Sequence, residues 1–271
     1  MDSVVLTERQ QAERAFYQEH ARLHAPESVS FDPVAGHERR PWNPYWFVYE
    51  QARVQFEAGA RRVLDFGCGK GVVSVRFAHI GYEVCGFDIS PNNIEVARRL
   101  AERYGFAERT SFSVQLAEHL EYEDASFDLV VGMDILHHID IPPAIEQVYR
   151  VLKPGGKAIF REHVEVPVQE RLRNCAVGRW LVPPGESLER NTTRYERKMN
   201  RNDLSIIARR FPRMQIHRFT LLSRLNVFLE RRWPRWPSRI ERWDRHLFQA
   251  VPGLDRLGAT AVIVAEKPSA V

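Results

Sequence analysis

Gly67, Gly69 and Gly71 stand at alternate positions in Val63-Leu64-Asp65-Phe66-Gly67-Cys68-Gly69-Lys70-Gly71, after an apolar run and before a segment of helical character. Glycines at such a junction let the chain turn through positive φ and let a ligand approach the backbone. The helix that follows adds N–H groups with no partner inside the helix. A ligand-binding turn is expected here, and its neighbours narrow the chemistry. The spacing is G-x-G-x-G, and Val72 holds the sixth place, where a dinucleotide-binding turn carries glycine or alanine. Asp65, ahead of the first glycine, would repel the oxygens of a pyrophosphate and suits a cationic amino or sulfonium group. Asp88 closes a second apolar run about twenty residues downstream, where a carboxylate accepts both hydroxyls of a ribose. A ribose fits a nicotinamide cofactor as well as an adenosylmethionine.

A second set of residues could move protons. His137 and His138 lie in Asp134-Ile135-Leu136-His137-His138-Ile139. Histidine titrates near neutrality, which suits a general base acting on a hydroxyl. The alternative is that the pair only organises its loop. Arg161-Glu162-His163 closes a later apolar run. Side chains at the carboxyl edge of a parallel sheet line the ligand crevice, so Glu162 and His163 either face an acceptor or pair with one of the many arginines. No D-x-D or His-rich cluster is present, so no metal site is expected. Cys68, Cys85 and Cys175 form no C-x-x-C pair and fit a reducing cytoplasm rather than a disulfide framework or a structural zinc site.

These residues need a scaffold that brings strand ends together, and the middle of the chain supplies one. Arg62–Phe66, Tyr82–Asp88, Ser111–Leu116, Phe127–Met133 and Lys157–Arg161 read as strands. Helices are expected over Gly71–His79, from Pro91 through Tyr104, and over Pro143–Leu152. Ser90 is placed to cap the second of these, with Pro91 at its first position, where a missing N–H costs nothing. Strands alternating with single helices predict a doubly wound parallel α/β sheet of Rossmann-like type.

The segments VLDFGCGKG, VCGFDIS, FDLVVGMDILHHI and VLKPGG resemble, in order and spacing, the motifs of class I S-adenosylmethionine-dependent methyltransferases, especially the type 11 group. The resemblance covers roughly residues 60–160 and implies a seven-stranded sheet whose last strand is antiparallel, with Pro212–Phe219 and Ala259–Glu266 as its final strands. It implies S-adenosyl-L-methionine as cofactor and S-adenosyl-L-homocysteine as product. By position, Asp65, Gly67, Cys68 and Gly69 would hold the methionine moiety and Asp88 the ribose, with Ile89 on the adenine. Ala117 and Glu118 would meet the adenine edge, and Met133 the amino acid end. The family commonly has Asp just before the position of Ala117, where this chain has Leu116, so adenine recognition there would rest on the Ala117 backbone N–H. Some type 11 sequences carry a Glu at the position of Glu162 and a later Thr-x-x-Glu, here Thr193-Arg194-Tyr195-Glu196, which adds Glu196 to the candidate substrate residues. The run Met133-Asp134-Ile135-Leu136 is not the Asn/Asp-Pro-Pro-aromatic motif of base-amine methylases, and Cys175 lacks the Pro-Cys setting of pyrimidine carbon-5 methylation.

Two flanks fall outside this rhythm. Residues 1–60 begin with a polar helical stretch and pass through Pro41-Trp42-Asn43-Pro44-Tyr45-Trp46-Phe47. In similar proteins this segment often folds over the cofactor and acceptor, so a helical and aromatic lid is expected there, with Trp42 and Tyr45 against a substrate. Residues 61–271 are then the methyltransferase domain, with a helical insert at about 221–257 before the last strand. That insert contains Arg231-Arg232-Trp233-Pro234-Arg235-Trp236, a composition found at membrane surfaces and in nucleic-acid-binding patches. Residues 161–271 carry 22 Lys+Arg against 12 Asp+Glu, a net of +10, which leaves −6 for residues 1–160. This separation points either to an anionic partner or to a solvated arginine-rich surface. With no basic-then-apolar start and no long apolar run, neither a signal peptide nor a membrane span is expected. The expected protein is a cytoplasmic enzyme, with peripheral membrane contact through the insert as a further expectation and nucleic acid disfavoured. It would methylate a small or carrier-linked metabolite at a hydroxyl, in natural-product or cell-surface glycan or lipid biosynthesis. The alternatives are an RNA-directed methyltransferase using the basic C-terminal region and a nicotinamide-dependent oxidoreductase.

Overall fold

In the computed structural model, the described residues are 6–23, 26, 28–36, 39–167, 195, 197–226 and 236–269. Within them one sheet of seven strands runs β1 (Arg62–Phe66), β2 (Glu83–Asp88), β3 (Thr110–Val114), β4 (Phe127–Met133), β5 (Leu152–His163), β6 (Arg213–Phe219) and β7 (Thr260–Glu266). Its spatial order is β3-β2-β1-β4-β5-β7-β6. The first five strands are parallel neighbours, and β7 lies antiparallel to both β5 and β6. The chain order reverses between β1 and β4, which leaves a crevice at the carboxyl ends of these strands.

Helices cover both faces: α1 (Glu8–Leu23), α2 (Asp32–Ala35), α3 (Pro44–Glu57), α4 (Val72–Ile80), α5 (Pro91–Arg103), α6 (Ile141–Val151), α7 (Arg201–Arg210) and α8 (Trp236–Ala250). Successive strand residues serve opposite faces. Leu64, Val130 and Phe160 pack with Ile145 and Val148 of α6 and Ile207 of α7. Val63, Val131 and Ile159 pack with Val48 and Tyr49 of α3 and Phe77 of α4. That is why these strands read as unbroken apolar runs rather than as alternating ones. On the second face α5 adds Ile94, Ala97 and Leu100 around Val75.

The element boundaries depart from expectation where side chains or prolines intervene. α6 starts at Ile141 rather than Pro143, because Pro142 and Pro143 fall in its first turn, where no N–H is needed. β3 ends at Val114 instead of Leu116, because the chain turns back and Leu116 bridges His119. β5 is much longer than Lys157–Arg161, since Leu152 already pairs with Phe127 across an irregularity in the ladder. Among the described residues no helix is long and apolar enough to cross a membrane.

Candidate active site

The glycine turn has the backbone its sequence called for. Gly67, Gly69 and Gly71 have φ of 75°, 51° and 79°. A Cβ on Gly67 would stand 2.6 Å from Cγ1 of Ile135, so the turn also needs the absence of a side chain there. Asp88, at the end of β2, pins the turn in place. Its Oδ2 accepts the Gly69 N–H at 3.1 Å, and its Oδ1 accepts the Ser90 N–H at 2.8 Å and the Asn93 amide at 3.1 Å. Burial pushes its pKa up, opposed by these same bonds. Ser90 caps α5 through the Asn93 N–H, as expected.

A cavity of about 320 Å³ opens beyond this turn, at the carboxyl ends of β1, β2 and β4. Gly67, Gly69, Asp88, Ile89, Ala117, Glu118, Met133, Asp134 and His138 line it. A more open depression lined by Arg62, Glu83 and Arg109 lies at the amino ends of β1 and β2. Parallel α/β sheets bind ligands at the opposite edge, outside the carboxyl ends, which selects the first cavity.

Asp65 and Cys68 do not stand on the cavity wall. Asp65 is buried beneath the turn, where Ser74 Oγ donates to its Oδ2 at 2.5 Å. Burial raises its pKa from 3.8 to about 7, against the opposing Ser74 bond. Burial thus disfavours its charged form, and with Ser74 on one oxygen Asp65 braces the turn from behind rather than meeting a ligand. Cys68 is buried against Val75 and Phe112, and burial raises its pKa well above the thiol range.

Glu162 and His137 also lie off the cavity. Glu162 is fully buried, and its Oε1 accepts the N–H groups of Ile135 and Leu136 at 2.9 and 2.7 Å. Its Oε2 meets His137 Nδ1 at 2.7 Å. This pair holds the 3-10 turn Leu136–His138 in shape, which favours the loop-organising reading for His137 over the catalytic one. Only the second histidine, His138, reaches the cavity. His163 does not line the cavity, but its Nε2 is 4.0 Å from Oδ1 of the cavity residue Asp134, and its side chain is half exposed.

The expected substrate residues separate. Tyr45 donates its hydroxyl to Asp134 Oδ2 at 3.2 Å, and its ring lies 4.2 Å from the Arg161 guanidinium. Arg161 in turn pairs with Asp134, a cavity residue held at φ 57°. Trp42 lies apart from the cavity, with Arg242 of α8 stacked 4.5 Å from its ring centre. Glu196, Thr193 and Arg194 lie outside the described residues, as do Arg231–Arg235 of the arginine and tryptophan run.

The roof of the cavity comes from α1. Gln10, Glu13, Tyr17 and His20 all line it, although none carries a motif. A signal was present nonetheless. These four positions recur at intervals of three and four, so a stripe of hydrogen-bonding side chains runs along one face of the helix. The stripe is fastened at several points: Arg9 donates to the His137 carbonyl at 2.8 Å, Gln10 to Glu118 Oε2 at 3.2 Å, and Lys70 to the His20 carbonyl at 3.3 Å.

A family described as "Methyltransferase domain" matches residues 64–160, which hold the glycine turn, Asp88 and the His137–His138 loop. Residues 64–160 form a type 11 methyltransferase domain of class I. Domains of this kind take S-adenosylmethionine as their cofactor, and the match sets aside the nicotinamide reading. A ubiquinone biosynthesis O-methyltransferase of Xanthomonas axonopodis pv. citri is 41% identical over 117 residues, covering 42% of this chain and 47% of that protein. Methyltransferase GfsG of Streptomyces halstedii is 36% identical over 141 residues, 51% of this chain and 49% of the relative. The chain thus spans about half the length of the curated relatives it matches. Among solved structures, the [4+2]-cyclase SpnF superposes with a TM-score of 0.57 at 19% identity, covering 97% of this chain and 98% of that one. Geranyl diphosphate C-methyltransferase from Streptomyces coelicolor A3(2) gives 0.56 at 14% identity, over 98% and 100% of the two chains. At these identities the methyltransferase domain shares their fold.

Proposed function

We propose that this protein transfers a methyl group from S-adenosylmethionine to a hydroxyl of a small or carrier-linked metabolite, in natural-product or cell-surface glycan or lipid biosynthesis. The observation that carries the reading is the cavity built on Asp88 and the glycine turn inside a matched methyltransferase domain. The residues fit the cofactor. A carboxylate has about four lone-pair positions, and the three protein donors on Asp88 leave room for a ribose hydroxyl. The backbone at Gly67 and Gly69 would hold the methionine moiety, Ile89 the adenine face, Ala117 and Glu118 its edge, and Met133 the amino acid end. The cofactor supplies an electrophilic methyl group on a sulfonium; the protein's part is to align the acceptor in line with it and to exclude water. A hydroxyl acceptor agrees with the curated O-methyltransferase relatives and with His138 at the cavity wall.

Calorimetry with S-adenosylhomocysteine tests the reading. Asp88→Ala should weaken binding by about 100-fold, the equivalent of one or two charge-assisted hydrogen bonds. Asp88→Asn, which keeps the side chain's size but sets an NH2 against one of its N–H donors, should lose at least about 10-fold. Unchanged affinity in both variants would sink the assignment. The neighbour that is a cyclase on this fold makes direct detection of a methylated product necessary, since fold alone does not carry activity.

A further inference from the structure

His138 is the one histidine of the pair at the cavity wall, yet both its ring nitrogens already face side chains of α1. Its Nε2 lies 3.0 Å from the Tyr17 hydroxyl, and its Nδ1 lies 3.1 Å from Glu13 Oε2. The Tyr17 ring stands edge-on to the imidazole, 5.5 Å between centres at 85°. Glu13 and the His138 side chain are both buried, while Tyr17 is partly exposed on the cavity wall. With Nε2 engaged by Tyr17 and Nδ1 turned toward the buried Glu13, this base reaches an acceptor through its neighbour.

We propose that Tyr17, carried on α1, is the group that takes the acceptor's proton, with His138 behind it and Glu13 holding the imidazole; the proposal rests on the hydroxyl methyl transfer above. The direction of the relay follows from donor and acceptor chemistry. For Tyr17 to donate, Nε2 must accept, which puts the ring proton on Nδ1, close to but not hydrogen-bonded with the Glu13 carboxylate 3.1 Å away. As the O–CH3 bond forms, the S–CH3 bond breaks and its electron pair stays on sulfur. The acceptor's O–H proton passes to the Tyr17 oxygen, and the Tyr17 proton passes to His138 Nε2. The resulting imidazolium lies against the Glu13 carboxylate, which balances its charge. Tyr17 is then the catalytic residue, while Glu13 positions and neutralises His138. Glu13 and Tyr17 are four residues apart on one helix face, so both arrive together when α1 docks. The loop contact of Arg9 and the Asn92 amide, which donates to the Gln18 carbonyl at 3.1 Å, fix that docking. The active site is therefore complete only with its roof in place.

Two measurements on the full chain with S-adenosylhomocysteine or labelled methyl donor decide the matter. Nitrogen-15 NMR of histidine-labelled protein bound to S-adenosylhomocysteine should show the His138 proton on Nδ1. A proton on Nε2 overturns the relay. Methyl transfer to phenol, catechol and an aliphatic alcohol is the second. With whichever probe is turned over, Tyr17→Phe should lower kcat by about 100-fold, the usual reach of general base catalysis, with KM and S-adenosylhomocysteine affinity within about three-fold. Glu13→Gln should cost about 10-fold and flatten the rise of kcat with pH. A Tyr17→Phe enzyme whose kcat stays within about three-fold of the parent overturns the assignment. If no probe is methylated, the hydroxyl reading of the function fails, and the relay is judged on the NMR result alone.

Discussion

The floor and the roof of the cavity are held by different means. The floor is backbone: the glycine turn and the Leu136–His138 turn, each pinned by one buried carboxylate, Asp88 and Glu162, that accepts neighbouring N–H groups. The roof is a single helix attached through side chains, with Arg9 reaching His137 across 128 positions of sequence and Gln10 reaching Glu118 across 108. Buried carboxylates with several donors are costly to disturb, whereas partly exposed side-chain bonds are worth little each. The floor should therefore be stable before any ligand arrives, and the roof should be the part that opens.

The largest effect should come from breaking the floor. Glu162→Ala leaves two buried N–H groups and His137 without their acceptor, at an expected cost of about 4 kcal/mol by urea denaturation. A loss below about 1 kcal/mol would mean that the loop is held by something else. Gly67→Ala comes next, at about 3 kcal/mol, from its positive φ and from the Ile135 side chain in the way. It should also weaken S-adenosylhomocysteine binding, which a stability effect elsewhere in the sheet would not.

Asp65 sharpens the comparison through pH. Its pKa is about 7 in the folded protein against an ordinary 3.8, so the folded state holds a proton that the unfolded state has released. The stability this brings is fully present below the ordinary value and is lost as pH rises toward 7. Thermal unfolding between these limits should show a falling contribution that Asp65→Asn abolishes. Parallel curves for the two proteins would show that Asp65 does not titrate there.

The smallest effect belongs to the roof. Arg9→Ala should cost about 1 kcal/mol of α1 docking and speed amide exchange in α1 while leaving β1 and β4 protected. Equal acceleration in helix and sheet would mean that roof and floor open as one unit, and the contrast between them would fall.

The glycine turn and the carboxylate of Asp88 beside it were legible because both depend on local backbone demands. Positive φ requires glycine, and a carboxylate at a strand end meets whatever lies in the crevice. The order of strands β1 to β4 was legible for the same reason, since buried strands and capped helices write their patterns into short stretches. Asp65, Cys68 and Glu162 were harder. Their neighbours in sequence place them at strand ends or in the turn, but only packing decides whether a side chain points into a cavity or behind its wall. Gln10, Glu13, Tyr17 and His20 form a polar helical stripe that many surface helices would share. Nothing local says which loop such a stripe will meet.

By itself, then, the amino-acid order determined the parallel strands and the glycine turn, because each rests on interactions between residues close along the chain or on the pattern they repeat, and through its resemblance to a known family it pointed to the seven-stranded sheet and the class of cofactor. Only the tertiary structure decided which histidine faces the cavity, which carboxylates serve as struts, and which face of α1 meets the site. Those outcomes depend on contacts across more than a hundred residues of sequence, whose geometry is set by how α1 packs over the sheet's edge rather than by any residue's own preference.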